Sequence, residues 1–217
     1  MNFLRSSILG LVLLSAVHAS AVDAFNNLGS VPGVYDASSS YDVGLTTAIP
    51  GRHFDRAFQF IATATGTLSG LDLAMNNHVS PAGVLGGYTV SINQDVNGLI
   101  SAPIATYQGV STGQSVGTTS QALSIVDTSS ASPLLIAGTT YWLYVTATPQ
   151  NTGLAWNVAN GGATTQAYEF AGFLGSYSTS PAAAFAVHVN PVPEPSYVVM
   201  GIGALGWLRR RRKARLA

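Results

Sequence analysis

The sequence predicts an all-β chain, an antiparallel β-sandwich of jelly-roll type, with a transmembrane helix at its C-terminus. Apolar and polar residues alternate with period two through Tyr88–Asn93, Thr140–Thr146 and Ala184–Val189, the pattern of strands with one buried face. Only 8% of the 217 residues are charged while 23 are glycine, so the Glu, Lys and Arg that solvate surface helices are missing. Gly, Pro, Asn and Ser interrupt the apolar runs about every ten residues, the spacing expected of a sandwich or barrel. The length suits one core with appendages.

At the N-terminus Arg5 precedes the apolar run Ile8–Val17, and Val17-His18-Ala19-Ser20-Ala21-Val22-Asp23-Ala24 follows. A cationic start, a short apolar run and a small-residue tract form a signal peptide, assigned to residues 1–24. Ten residues are too few to span about 30 Å of hydrocarbon, which favours removal by signal peptidase over a permanent anchor. Small residues stand three and one places before a cut after Ala19, Ala21 or Ala24, and the three sites stay open with a slight preference for Ala24.

The body, residues 25–190, is expected to be the β-sandwich domain. Its strands are placed at Ala57–Ala64, Thr67–Met75, Tyr88–Asn93, Ile104–Val110, Gln121–Val126, Thr140–Thr146, Gly153–Val158, Gln166–Phe173 and Ala184–Val189, about nine in all. Asn26–Pro50 is less regular, either an edge strand with turns or a mobile arm. Ser111–Ser120 reads as a polar connection within the domain. Between Phe25 and Val192, Arg52 and Arg56 stand against seven carboxylates, a net charge of −5. Without a basic footprint to neutralise phosphates, nucleic acid is not an expected partner. The chain has no cysteine, which excludes disulfides and thiolate metal sites and leaves stability to packing.

The tail, residues 191–217, has three parts. Val192-Pro193-Glu194-Pro195 is followed by the apolar Tyr197–Leu208 and then by Arg209, Arg210, Arg211, Arg212 and Lys213. Two prolines fix φ and remove backbone donors, so the motif stays extended and accessible ahead of a helix. The basic cluster is held on the cytoplasmic face and stops export. Twelve apolar residues make a helix of about 18 Å, a marginal span that snorkelling arginines and local bilayer thinning must help to complete. These residues resemble the PEP-CTERM sorting domain. The resemblance implies recognition by an exosortase, removal of the tail, a membrane-anchored precursor, and a body delivered to the surface or outside of a bacterium that exports polysaccharide.

The body resembles the choice-of-anchor R domain, an exported bacterial β domain found with alternative sorting tails. The matching residues are Gly66-Thr67-Leu68-Ser69-Gly70-Leu71-Asp72-Leu73, Val90-Ser91-Ile92 with the Asp95-Val96-Asn97-Gly98 turn, Leu135-Ile136-Ala137-Gly138-Thr139-Thr140-Tyr141-Trp142-Leu143, and Ala155-Trp156-Asn157. It implies no catalytic residues. The expected role is structural or adhesive, in company with extracellular polysaccharide. The alternative is a carbohydrate-binding module stacking Trp142, Tyr144 and Trp156 on sugar rings.

Three other patterns invite chemistry. Gly109-Val110-Ser111-Thr112-Gly113 and Gly113-Gln114-Ser115-Val116-Gly117 fit Gly-x-Ser-x-Gly, and Asp127 and His188 follow in hydrolase order. A nucleophile elbow leads into a helix, whereas Thr118-Thr119-Ser120 has no helical stripe, so no enzyme is expected. Asn93-Gln94-Asp95-Val96-Asn97-Gly98 imitates half a calcium loop, but Ile104 stands where the bidentate Glu belongs, and an Asn-Gly hairpin explains it better. His53, Asp55, His78 and His188 are too scattered in sequence to propose a metal site, and no cofactor is expected.

Overall fold

The computed structural model describes residues 20–28, 35–45, 53–79, 86–111, 123–148, 153–170, 173–174 and 177–192. They form β1 (Val22–Asn26), β2 (Tyr35–Leu45), β3 (His53–Ile61), β4 (Gly66–Leu73), β5 (Met75–Val79), β6 (Gly87–Val96) and β7 (Leu99–Val110). The chain continues through β8 (Ser124–Val126), β9 (Leu134–Leu135), β10 (Thr140–Thr148), β11 (Gly153–Phe170), β12 (Phe173–Leu174), β13 (Ser178–Ala183) and β14 (Phe185–Pro191). The described residues contain no helix; the fold is all-β. The expected signal run, the expected sorting motif from Pro193 onward, the basic cluster and the expected transmembrane helix lie outside the described residues.

The strands make two antiparallel sheets. The smaller runs β1-β14-β4-β8, with β9 also beside β4. The larger runs β12-β11-β2-β3-β10-β6-β7, with β5 and β13 added along β11. Counting only β1, β3, β4, β6, β7, β8, β10 and β14, the first sheet holds the first, eighth, third and sixth of these strands. The second holds the second, seventh, fourth and fifth.

One core fills the space between the sheets. Phe58, Phe60, Tyr88, Val90, Ile92, Leu143 and Val145 come from the larger sheet and Leu68, Leu71, Leu73, Phe185, Val187 and Val189 from the smaller. Phe185 stacks on Phe25 at 4.7 Å and meets Phe60 edge-on at 5.8 Å, so β14, β1 and β3 interlock through aromatic rings. Each fully buried aromatic contributes roughly 1.5–3 kcal/mol of transfer free energy. The Tyr88 phenol bonds Ser124 Oγ at 2.6 Å, and Ser124 donates onward to the Val110 carbonyl at 2.6 Å, which ties β6, β8 and β7 together. Burial pushes the Tyr88 phenol up to about 12, so it stays a neutral donor.

Several elements depart from the sequence reading. Residues 35–45 are a strand with partners on both sides, β11 and β3, and not an edge strand or an arm. Pairing supplies what composition lacks, because Tyr35-Asp36-Ala37-Ser38-Ser39-Ser40 has no β-branched residue. The two strands expected at Gly153–Val158 and Gln166–Phe173 are one continuous β11, irregular between Val158 and Ala163 around Gly161 and Gly162. The first part of β11 pairs with β2 and its last part with β3, so these three strands close a small antiparallel barrel. β1 straddles the expected domain boundary at 24/25.

Where the chain crosses between sheets, three backbone bonds form a ring. Ala74 N donates to Ala184 O at 3.1 Å, Ala184 N to Asn157 O at 2.8 Å, and Asn157 N to Ala74 O at 2.9 Å. Ala74 is the single residue between β4 and β5, and Ala184 the single residue between β13 and β14. Each junction therefore has its backbone groups satisfied where a sheet ladder cannot reach them.

Candidate functional site

The pole where β1 and β14 lie side by side carries the point of departure of the tail. The register places Val22 opposite Val189 and Asp23 opposite His188, so the start of β1 lies beside the end of β14. β14 ends at Pro191, and Val192 N donates to Thr65 O at 3.3 Å. Val192, the first residue of the expected sorting motif, is thus still fastened to the body, and the residue is 46% exposed. No linker separates the last core strand from Pro193.

On the outer face beside this pole, His188 bridges two carboxylates. Its Nδ1 lies 2.8 Å from Asp23 Oδ1 and its Nε2 2.9 Å from Asp72 Oδ2, joining β14 to β1 and β4. With both ring nitrogens facing carboxylate oxygens, the doubly protonated imidazolium fits best. Partial burial pulls the imidazole down, but hydrogen bonds and charge from Asp72 and Asp23 outweigh it and raise His188 above its ordinary value. Asp23 is lowered, first by the hydrogen bond from Asn26 and then, against some desolvation, by His188. The arrangement is an electrostatic fastener across three strands.

His188 has partners other than those the hydrolase pattern calls for. His188 is engaged on both sides, Asp127 Oδ1 accepts from Ser129 N at 2.9 Å in its own turn, and Ser111 is buried at 2% exposure with its amide bonded to Gly86 O. Ser111, Asp127 and His188 are not brought together into a relay, and Ser115 lies outside the described residues.

The aromatic residues considered for sugar stacking require a correction. Trp142 and Trp156 are both 0% exposed, so neither indole face can meet a ligand. Trp156 lies in the main core against Phe58, its Nε1 donating to Ala184 O at 3.0 Å. Trp142 and Tyr144 do share the outer face of β10, but that face carries its own apolar cluster with Ala57, Ala167, Ile100 and Tyr177. The Tyr177 ring meets Trp142 edge-on at 5.5 Å. Tyr144 remains half-buried, its hydroxyl donating to Asp55 Oδ2 at 3.0 Å, while His53 Nδ1 lies 3.6 Å from Asp55 Oδ1.

Asp95, the third position of the imitation calcium loop, is fully used by the fold. Its Oδ2 accepts from Gln59 Nε2 and from Trp142 Nε1, both at 2.8 Å, and its Oδ1 accepts from Gly98 N at 3.0 Å. Asn97 and Gly98 take positive φ of 57° and 80°, the conformation of an Asn-Gly hairpin between β6 and β7. Among the described residues no group of three or more His, Cys, Asp or Glu converges to hold a metal ion.

Sequence reasoning missed the partners of His188, which lie 165 and 116 residues away, and no local pattern announces them. It missed equally an exposed polar row across β10, β6 and β7. There Thr89 Oγ1 lies 3.1 Å from Thr148 Oγ1, and Gln108 Nε2 donates to Thr89 Oγ1 at 3.0 Å. No protein-family model matches the chain, and no curated protein matches it.

Proposed function

We propose that this chain is an exported bacterial surface or extracellular-matrix protein, sorted through its C-terminal tail, with a structural or adhesive role alongside exopolysaccharide. The observation that carries the reading is the three-part tail, Val192-Pro193-Glu194-Pro195, Tyr197–Leu208 and Arg209–Lys213, beginning one residue after β14 ends. Such a tail fits the PEP-CTERM pattern, and the extended motif would stand immediately outside the bilayer. The body would be carried to an exosortase already folded against it. The strand order of the eight core strands supports a jelly roll, an architecture frequent among lectins and other surface-binding domains. With both candidate tryptophans buried, contact with polysaccharide falls to hydroxyl and amide groups such as the Thr148, Thr89 and Gln108 row.

The test is fractionation of the native bacterium with and without its exosortase. The body is expected outside the inner membrane in the parent, shortened at its C-terminus. In the deletion strain full-length precursor should collect in the inner membrane. Equal processing in both strains would overturn the reading.

A further inference from the structure

We infer that signal peptidase cuts the Ala21–Val22 bond, so that Val22, the first residue of β1, becomes the first residue of the exported body. The inference rests on the reading of residues 1–19 as part of a signal peptide. Sequence leaves cuts after Ala19, Ala21 and Ala24 open; the fold argues against the cut after Ala24, and residue spacing decides between the other two.

A cut after Ala24 would remove Val22, Asp23 and Ala24 from a strand of five residues. Ala24 is 0% exposed and belongs to the main core. Its carbonyl accepts from Thr63 N at 2.7 Å and from Thr63 Oγ1 at 2.9 Å. Asp23 holds His188 at 2.8 Å and accepts from Asn26 Nδ2 at 2.8 Å. The same cut would place a new ammonium on Phe25, whose ring packs against Phe60 at 5.5 Å and Phe185 at 4.7 Å beside that core. Charge there is costly, and His188 and Asp72 would lose the second carboxylate of their bridge.

Ser20 and Ala21 are exposed and precede the strand. Val22 is the first paired residue, opposite Val189. Within the tract from Val17 to Ala24 the Ala-x-Ala spacing that the peptidase reads occurs once, at Ala19-Ser20-Ala21. Water is added across the Ala21–Val22 amide, leaving a carboxylate on Ala21 of the removed segment and an amino group on Val22 of the body. That amino group emerges at the pole where Val192 leaves, so the two processed ends of the body would be neighbours.

The full chain, expressed in a bacterium with an intact secretion pathway, is tested by N-terminal sequencing and intact mass of the exported protein. The expected first residue is Val22, and Ala21→Tyr should abolish that start. A first residue of Phe25 or Ser20 would overturn the assigned bond while leaving the signal peptide reading intact. An exported chain still beginning at Met1 would overturn both. Wild-type processing of Ala21→Tyr would also overturn the inference.

Discussion

The outer faces of the two sheets both use aspartate as a cross-strand tie, with opposite chemistry. On the larger sheet Asp95 accepts only from neutral donors, the Trp142 indole, the Gln59 amide and the Gly98 backbone, around a fully buried ring. On the smaller sheet Asp23 and Asp72 meet a titratable donor, His188, whose side chain keeps 27% of its exposure. The donors to Asp95 carry no charge to lose, so that tie does not depend on a partner's protonation. A carboxylate facing histidine works fully only while the ring is protonated. The difference teaches that the body is fastened permanently on one face and conditionally on the other.

Removing the indole breaks the permanent side most severely. Trp142→Ala deletes a fully buried side chain and one of the donors to Asp95, and should cost about 3–5 kcal/mol in denaturant unfolding. Asp95→Asn keeps the volume but turns an amide N–H toward groups that are themselves donors. A loss of about 1–3 kcal/mol is expected, with the β6–β7 turn showing the earliest amide exchange.

The conditional side should respond less, and to pH. His188 is raised above its ordinary 6.5, so its contribution is full below that value and is lost as pH rises through the folded-state value. Asp23 is lowered below 3.8, so its contribution is present above that value and is lost as pH falls through its folded-state value. The fastener should therefore be strongest between about 3.8 and 6.5. Asp23 is 47% exposed, which keeps the expected gain to about 1 kcal/mol or less after solvent screening. His188→Gln should lower the melting temperature within that window, flatten its decline on either side, and leave the unfolding slope unchanged. A pH profile identical to that of the parent would remove the conditional fastener from the account.

The strands that alternate cleanly were legible because one inner face is enough to set their pattern: Tyr88, Val90 and Ile92 in β6, and Phe185, Val187 and Val189 in β14. β1 was hidden in a tract of small residues that also suits a peptidase, and only its pairing with β14 makes it a strand. Both Tyr141 and Trp142 are buried because β10 has cover on both faces, so parity alone could not tell a sugar platform from a second small core. The Asn-Gly turn was legible because it is local chemistry. The bridge at His188 was not, because it is made of residues from three distant strands.

The placement of β14 between β1 and β4 has a mechanical consequence. A load drawn on the chain beyond Val192 against the rest of the body acts along β14, so the rungs to both neighbours are sheared together. The three-bond ring at Ala184 resists slippage at the far end of the strand. A load applied instead between Val22 and Val192 pulls two adjacent antiparallel strands apart from one end, and their rungs open in succession. The body is stiff to a tether on its tail and weak to a pull between its own ends.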